Sequence, residues 1–226
     1  MVAYMLKTVH KDMTAYGGFV WPESGPVECP DWDSKKECGN GLHGALWGEG
    51  DGRLFHWHAD NVKWIVARID DDVEIVDLGG KVKVPRCIVV HCGDQKSATE
   101  YLASVSDGKR AIIGRVSCVG DYATSTSGDC GTSTSGKCGI STSGDYATST
   151  SGDCGTSTSG KCGISTSGDY GTSISGDCGT SVSGYNGIIR IHSIRENRFV
   201  SGNIGENGLK PNVAYMLDST DNFFEA

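Results

Sequence analysis

The densest group of side chains able to do chemistry lies in the segment ECGNGLHGALWGEGDGRLFHWHAD, residues 37–60. Cysteine and histidine are ligand types that zinc accepts. Four residues separate the first cysteine of this segment from its first histidine, and no CxxC pair occurs in the chain. We therefore predict that these side chains are structural and that the protein needs no metal and no cofactor. The candidate ligands for the alternative are Cys38, His43, His56 and His58, with Cys87, His91 and Cys92 further along.

A catalytic alternative rests on His43, as a general base or as a contact to a substrate amide in a glycine-rich pocket. No nucleophile or second acid lies at a recognisable spacing from His43. The glycine run GEGDG at residues 48–52 carries acidic neighbours, which would repel a phosphate. GxSxG, HExxH and EF-hand patterns are absent. We therefore expect no enzymatic activity.

Composition excludes several classes of function. The 226 residues carry 20 Lys+Arg against 28 Asp+Glu, giving a formal charge of -8. A nucleic-acid binder needs a basic surface, so we expect no direct contact with nucleic acid. The chain has no apolar run long enough to span a membrane, and charged residues interrupt its first twenty positions. We expect a cytoplasmic protein without membrane contact.

The secondary structure predicted from the sequence differs between the part of the chain that holds these cysteines and histidines and the part that follows it. Residues 1–110 contain all five tryptophans and read as a small α+β domain. Stretches rich in β-branched residues predict strands at Val62–Asp70, Val73–Asp77 and Lys83–His91. A short helix is predicted from Asp94 to Ser106.

An octapeptide repeat fills the chain from Gly120 to Ser183, with units such as GDYATSTS, GDCGTSTS and GKCGISTS. A degraded ninth unit, GYNGIIRI, follows at residues 184–191. With each octad numbered 1 to 8 from its glycine, positions 3, 5 and 7 alternate with Ala/Gly and Ser. Period-2 alternation on β-branched residues is typical of strands, so residues 111–191 predict a flat β-solenoid.

The apolar substitutions in the repeat fall on odd positions, for example Ile140 and Ile164 at position 5 and Val182 at position 7. This predicts that odd positions face the core, including the five cysteines at position 3, because free cysteine behaves as a small hydrophobic residue. The glycine at position 1 is expected to serve the corner between strands, where a positive φ or a close approach of the backbone is needed.

Charge favours a coil of 16 residues, two octads, over one of 24. Stacked strands lie about 4.8 Å apart, so equivalent positions in successive coils nearly touch. A 24-residue coil would stack Asp121, Asp145 and Asp169 without interruption. A 16-residue coil places a lysine among the acids of each column, which is the favourable arrangement across strands. Those columns are Asp121, Lys137, Asp153, Asp169 and Asp129, Asp145, Lys161, Asp177.

The remaining residues, 192–226, predict a C-terminal β cap, introduced by a bulky strand at Ile188, Ile189 and Ile191. A cap is required because an open terminal strand recruits other chains. A homodimer formed through the solenoid or the cap is the alternative way to cover that edge. The predicted fold is thus mainly β, with an α+β domain, a β-solenoid and a β cap in series.

The chain resembles two groups of known proteins. The stretches KDMTAYGGFVWP, CGNGLHGALWGEGDG and VDLGGKVKVPRCIVVHCGDQKSATEYL resemble a domain of uncharacterised bacteriophage and prophage proteins, which is often joined to Gly/Ser/Thr repeats and a GENGLKPN-like tail. That resemblance implies an accessory protein acting in the cytoplasm of an infected bacterial host. Small proteins of this kind often inhibit a host defence such as CRISPR–Cas.

The repeat also resembles the β-solenoids of ice-nucleation and ice-binding proteins, whose strands carry Thr-x-Thr, as at Thr124-Ser125-Thr126. If odd positions are buried, however, these threonines face inward and the exposed rows are Ser-x-Ser. Acidic solenoids such as the pentapeptide-repeat proteins imitate duplex DNA, which gives a third comparison.

The sequence therefore favours a non-enzymatic protein that binds and blocks a host protein or a protein–nucleic acid complex, by acidic mimicry or through aromatic side chains. The alternatives are an ice-binding or structural spacer solenoid and an enzyme built around His43. The predicted binding residues are Asp121, Asp129, Asp145, Asp153, Asp169, Asp177, Trp47, His56, Trp57 and His58.

Overall fold

The computed structural model describes residues 2–57 and 61–226. They form two compact units, Met1–Ile113 and Gly114–Ala226. Within the described residues, no helix is both long and apolar enough to cross a lipid bilayer.

The first unit is built on a seven-stranded antiparallel sheet in the order β2-β7-β4-β1-β3-β6-β5. Two single-turn 3-10 helices lie at Tyr16–Gly18 and Gly52–Leu54, and one α-helix, α1, at Gln95–Val105. The strands are β1 Ala3–His10, β2 Gly25–Glu28, β3 Leu42–Leu46, β4 Val62–Ile69, β5 Val76–Asp77, β6 Val82–Val84 and β7 Arg86–Gly93.

Both faces of this sheet are covered. Alternate residues of β1 enter different clusters, with Met5 and Val9 on one side and Leu6 on the other. The cluster around Met5 includes Trp21 and Ile65, whereas α1 packs Leu102 against Leu6 on the opposite side. Two-sided burial explains the continuous apolar run WIVA in β4, residues 64–67, all of which are buried.

The sequence located several of these elements. The predicted strand from Val62 matches β4, and the Asp94 carboxylate caps α1 by accepting from the Ser97 backbone N–H at 2.7 Å. The stretch predicted as one strand from Lys83 is two strands, β6 and β7, separated at Pro85. Proline has no backbone N–H and cannot continue a ladder, so the chain changes partners there.

The second unit is a β-solenoid of five coils with two parallel sheets. Its first sheet contains β8 Val116–Cys118, β10 Thr132–Thr134, β12 Thr148–Thr150, β14 Ile164–Ser167 and β16 Thr180–Ser183. Its second contains β9 Thr124–Thr126, β11 Ile140–Thr142, β13 Thr156–Thr158, β15 Thr172–Ser175 and β17 Ile188–Ser193. Thr132 pairs with Thr148 and Thr148 with Ile164, so one coil takes 16 residues, as predicted.

The predicted orientation of the repeat was wrong. The serines at positions 6 and 8 are buried; Ser149, for example, is 0 % exposed. The position 5 and 7 side chains face solvent, and Ile140 and Ile164 are 49 % and 47 % exposed. Serine is the smaller side chain, so a serine core lets the two sheets approach closely. The β-branched threonines suit the outer surface of a pleated strand.

At the corners, the inward direction predicted for position 3 was wrong, whereas the close backbone approach predicted as one reason for glycine at position 1 is confirmed. Position 3, occupied by Tyr or Cys, has a φ of 52–56°, and its cysteines are partly or fully exposed. The glycines at position 1 do not have positive φ. They are required because a Cβ at Gly152 would lie 2.8 Å from the Lys137 backbone nitrogen in the preceding coil. Close stacking of the corners, rather than a left-handed conformation, selects glycine there.

The C-terminal end is closed by β18 Arg198–Asn203, β19 Tyr215–Leu217 and β20 Phe223–Glu225, all antiparallel to their neighbours. Ile189 and Ile191 occupy positions 6 and 8 of the ninth octad and are 0 % and 1 % exposed. Ile189 packs with Leu209 and Tyr215 in a small apolar cluster. The serine core is thus replaced by an apolar core at the cap.

Candidate functional site: the threonine faces of the solenoid

The outward side chains at positions 5 and 7 form two rows on each sheet, which we call the first and second threonine faces. The first face, on β8 to β16, carries Val116, Thr132, Thr148, Ile164, Thr180 and Cys118, Thr134, Thr150, Thr166, Val182. The second, on β9 to β17, carries Thr124, Ile140, Thr156, Thr172, Ile188 and Thr126, Thr142, Thr158, Ile174, Arg190.

The geometry of these faces is a regular grid of hydroxyl and methyl groups. Neighbouring strands are about 4.8 Å apart, and alternate residues along a strand are separated by about 6.7 Å. The pairing is in register in every coil, so Thr134 lies beside Thr150 and Thr150 beside Thr166. A grid of this kind can hold a layer of water at fixed positions, because each hydroxyl accepts and donates hydrogen bonds.

The serine core holds the two faces together. Several position 6 hydroxyls cross the core and donate to a backbone carbonyl of the opposite sheet, as Ser141 does to Ser133 at 2.7 Å and Ser173 to Ser165 at 2.7 Å. Other buried serine hydroxyls, such as that of Ser149, have no partner within the described residues. These small side chains and cross-core bonds fix the spacing between the sheets, which keeps each outer surface regular.

The predicted aspartates lie along the corners and stack as expected for 16-residue coils. Their carboxylates accept hydrogen bonds from the backbone of the next coil: Asp121 from Lys137 at 2.8 Å, and Asp153 from Asp169 at 3.0 Å. Within the described residues, the side chains of Lys137 and Lys161 form no ion pair. Asp129, Asp145 and Asp169 bond likewise to Asp145, Lys161 and Tyr185, and Asp177 pairs with His192.

The aspartate ladder therefore has a structural function in addition to the alternation of charge. Five of the six carboxylates satisfy a corner N–H of the next coil, and the sixth, that of Asp177, pairs with His192. The backbone contact accounts for aspartate at five of eight octads without any partner molecule. Whether the same residues bind a partner stays a prediction.

The aromatic residues predicted to form a binding surface are partly buried and belong to the packing of the first unit. The Trp47 ring lies 5.4 Å from that of Tyr4 and carries the Arg110 guanidinium 4.5 Å from its centre. The Trp57 indole N–H donates to the Gly52 carbonyl at 2.9 Å. His56 is exposed and stacks on His10, at 5.2 Å between ring centres.

The predicted zinc ligands are only partly brought together. Cys38, His43 and His56 line one cleft, whereas His58 lies outside the described residues. Cys87 is buried, and burial raises the pKa of its thiol to about 12. His91 contacts Ser97 at 3.1 Å. Among the described residues, no three His, Cys, Asp or Glu side chains form a group that could hold a metal ion.

His43 lies on β3, opposite Lys83 of β6. Burial, together with the smaller effect of the positive charges on Lys81, Lys7 and Lys83, lowers the pKa of its imidazole to about 4. An imidazole with this pKa is neutral at pH 7 and is a weak proton acceptor. This is unfavourable for a general base, which works best when its pKa lies near the working pH.

The sequence contained a signal for the orientation of the threonine faces. The ninth octad places Ile189 and Ile191 at positions 6 and 8 and Arg190 between them. A buried strand with one arginine must direct that arginine outward, which assigns the even positions to the core. The outward threonines follow from this assignment.

Comparison with known proteins gives separate matches for the first unit and for the repeat. Residues 3–103 match the model of a domain of unknown function, DUF7666. The chain is 38 % identical over 99 residues to the ice nucleation protein InaU of Pantoea ananas, covering 43 % of this chain and 10 % of that protein. It is 39 % identical over 103 residues to an ice nucleation protein of Pseudomonas syringae, covering 45 % and 9 %.

A third relative, from Xanthomonas campestris pv. translucens, is 38 % identical over 101 residues, covering 44 % of this chain and 6 % of the relative. No solved structure is significantly similar to the chain. The chain thus spans a tenth or less of the length of these ice nucleation relatives. The repeat part is similar to ice nucleation proteins, and the preceding domain to a family without an assigned function.

Proposed function

We propose that the solenoid is an ice-binding module whose threonine faces order water into an ice-like layer. The observation that carries this proposal is the outward direction of Thr-x-Thr on both sheets, above a core made of serine. The similarity to ice nucleation proteins supports it, and so does the in-register stacking of five coils.

A surface binds ice when it presents hydrogen-bonding groups at fixed spacing on a rigid, flat support. In-register side-chain ladders flatten a sheet that would otherwise twist, and the repeated aspartate and serine contacts add rigidity. The exposed methyl groups of threonine, and of Ile140 and Ile164, favour release of disordered water from the surface. Hydrogen bonding by the hydroxyl groups and release of disordered water by the methyl groups therefore act together on the Thr-x-Thr grid.

The size of the module suggests which ice activity to expect. Five strands at about 4.8 Å span only about 19 Å between the first and the last. Nucleation requires a template as large as a stable ice embryo, whereas adsorption to an existing crystal requires only local matching. We therefore expect the single chain to adsorb to ice and to restrict crystal growth, with strong nucleation confined to assemblies of many chains.

The proposal is tested with lysine substitutions at the centre of each face. Thr150→Lys on the first face and Thr158→Lys on the second place a long, charged side chain in the middle of the grid. Thermal hysteresis and inhibition of ice recrystallisation are measured for each variant and for the double variant. Ser104→Lys, at an exposed position of α1, adds the same charge away from the solenoid and serves as the control.

We expect the control to match the wild type and the double variant to lose its effect on ice. Loss in one single variant only would assign binding to that face. If the wild-type chain has no effect on ice growth, or if the double variant acts as well as the wild type, the proposal fails. The solenoid would then be a structural spacer.

The hypothesis of a host-defence inhibitor finds no support in the comparisons or in the fold. The phage origin, the host protein partner, the homodimer and the cytoplasmic location stay predictions. The acidic corners are one of the two surfaces that the hypothesis offered, and five of their six carboxylates are engaged with the backbone of the next coil.

A further inference from the structure

A cleft in the first unit gathers positive charge from two lysines, Lys7 and Lys81. Strands β1 and β3 pair through Leu6 and Ala45, and no pairing continues beyond that point toward Thr8 and His43. A cavity of about 570 Å³ lies beside these strand ends. A second cavity, of about 480 Å³, shares Lys7, Tyr16 and His43 with the first.

Two lysines and two histidines, His43 and His56, line the first cavity. Lys7 and Lys81 both line it, and within the described residues neither side chain has an acidic partner. The Lys7 ammonium instead lies 5.5 Å from the centre of the Trp21 ring. The Nε2 atom of His43 is buried without a hydrogen-bond partner among the described residues.

A third lysine, Lys83, lies nearby, and its charge also acts on the Asp33 carboxylate, whose pKa it helps to lower. Lys83 is 1 % exposed, and its ammonium contacts the Gly39 carbonyl at 3.3 Å and lies 5.7 Å from the centre of the Trp32 ring. Asp31 lines the second cavity, where it accepts from the Cys29 thiol at 2.9 Å. Among the described residues, no acidic side chain lines the first cavity.

The positive charges of neighbouring lysines repel one another. In a partly buried site this repulsion makes the charged form of each lysine less favourable. The pKa of Lys7 is lowered to about 8, chiefly by burial and then by the charge of Lys81. A chain with net charge -8 has many carboxylates that could have been placed here, and an unbalanced cationic cleft is what an anionic ligand requires. Leu54 and Phe55 add apolar surface to the lining.

We propose that this cleft binds a small organic anion, with its carboxylate or phosphate group held between Lys7 and Lys81 and its apolar body against Leu54 and Phe55. His43 is neutral at pH 7 and adds no charge to the site. The exposed Tyr16 stands at the rim of both cavities, where it can cover the ligand. This site is independent of the threonine faces and of ice binding.

The test uses the full chain and defined probes. Benzoate and phenyl phosphate are titrated by calorimetry, with inorganic phosphate to test for the anion alone and benzyl alcohol as the neutral analogue. Lys7→Met and Lys81→Met remove one charge each, and Lys96→Met removes one exposed charge from α1 as the matched control. We expect each cleft variant to weaken binding of the anionic probe about tenfold or more, with the control unchanged.

A second measurement does not depend on the folding of any variant. Lysine acylation of the wild-type chain is followed by mass spectrometry with and without the bound probe. We expect the probe to protect Lys7 and Lys81 and to leave Lys96 unprotected. The proposal would be overturned if benzyl alcohol bound as tightly as benzoate or if Lys7→Met kept the wild-type affinity for the anionic probe. It would also be overturned if the probe left the labelling of Lys7 and Lys81 unchanged.

Discussion

Replacing one inward serine by isoleucine tests the orientation of the repeat. Ser149 and Thr150 are adjacent on β12, with the serine in the core and the threonine on the first face. Ser149 has Ser133 and Ser165 directly beside it in the neighbouring coils. Isoleucine at position 149 would therefore have to fit among serines that strand pairing holds about 4.8 Å away.

Overpacking of this kind costs about 1–3 kcal/mol, and we expect the upper end because the backbone ladder cannot widen at one coil alone. In a unit of this size, about 3 kcal/mol lowers the unfolding temperature by roughly 10 °C. Thr150→Ile puts the same side chain on the surface, where the chain already has an exposed isoleucine at 164. Its effect should stay within about 0.5 kcal/mol.

The assay is hydrogen exchange of solenoid peptides together with thermal unfolding by circular dichroism. All five tryptophans belong to the first unit, so tryptophan fluorescence reports on that unit separately and should not change. The assignment of serine to the core would be refuted if Ser149→Ile unfolded at the wild-type temperature. It would also be refuted if Thr150→Ile unfolded at a lower temperature than Ser149→Ile.

Three further pairs of measurements follow from the same structure. Asp145→Ala removes the 2.8 Å hydrogen bond to the Lys161 backbone and should cost about 1 kcal/mol in chemical denaturation, whereas Lys161→Ala should change stability by less than about 0.5 kcal/mol. Gly152→Ala would place a Cβ 2.8 Å from the Lys137 backbone nitrogen and should lower the unfolding temperature. A Cβ at Gly155 would also be crowded, 2.9 Å from the Gly139 carbonyl oxygen, but Ala123 and Ala147 occupy the equivalent position, so Gly155→Ala should lower it less. The pKa of His43 is about 4 when folded and 6.5 in the unfolded reference, so its stabilising contribution is present above pH 6.5 and is lost as pH falls through 4. His43→Gln should therefore remove roughly 1–2 kcal/mol of the acid sensitivity measured by urea denaturation at pH 6.5 and pH 4, after a discount for its partial exposure. Equal stability within either matched pair, or identical pH dependence of wild type and His43→Gln, would contradict the corresponding assignment.

The coil length was predictable because it depends on charges that recur at fixed intervals. Placing Lys137 between Asp121 and Asp153 distinguishes 16 residues from 24 without any knowledge of the side-chain directions. Helix α1 was predictable for a similar reason, since Asp94 is a local capping residue. The coil length depends on charges that recur at fixed intervals in the sequence, and the helix cap depends on Asp94 and Ser97, which are close in the sequence.

The orientation of the strands was harder to predict, because serine and threonine are both small and polar and period-2 alternation does not say which set is inside. The isoleucines at 140 and 164 suggested a core, yet they lie on the surface. The decisive residues, Ile189 and Ile191, occur in one degraded unit. The cationic cleft was not predictable, since Lys7, Lys81 and His43 come from separate parts of the chain.

The most direct test of the central claim is whether the protein enters growing ice. A fluorescently labelled wild-type chain and the Thr150→Lys/Thr158→Lys variant are each frozen slowly onto a cooled surface. Fluorescence is then compared between ice and liquid. The structure predicts that the wild type is incorporated into the ice and that the variant is excluded with ordinary solutes. Exclusion of the wild type, or equal incorporation of both, would contradict the assignment of the threonine faces as the ice-binding surface.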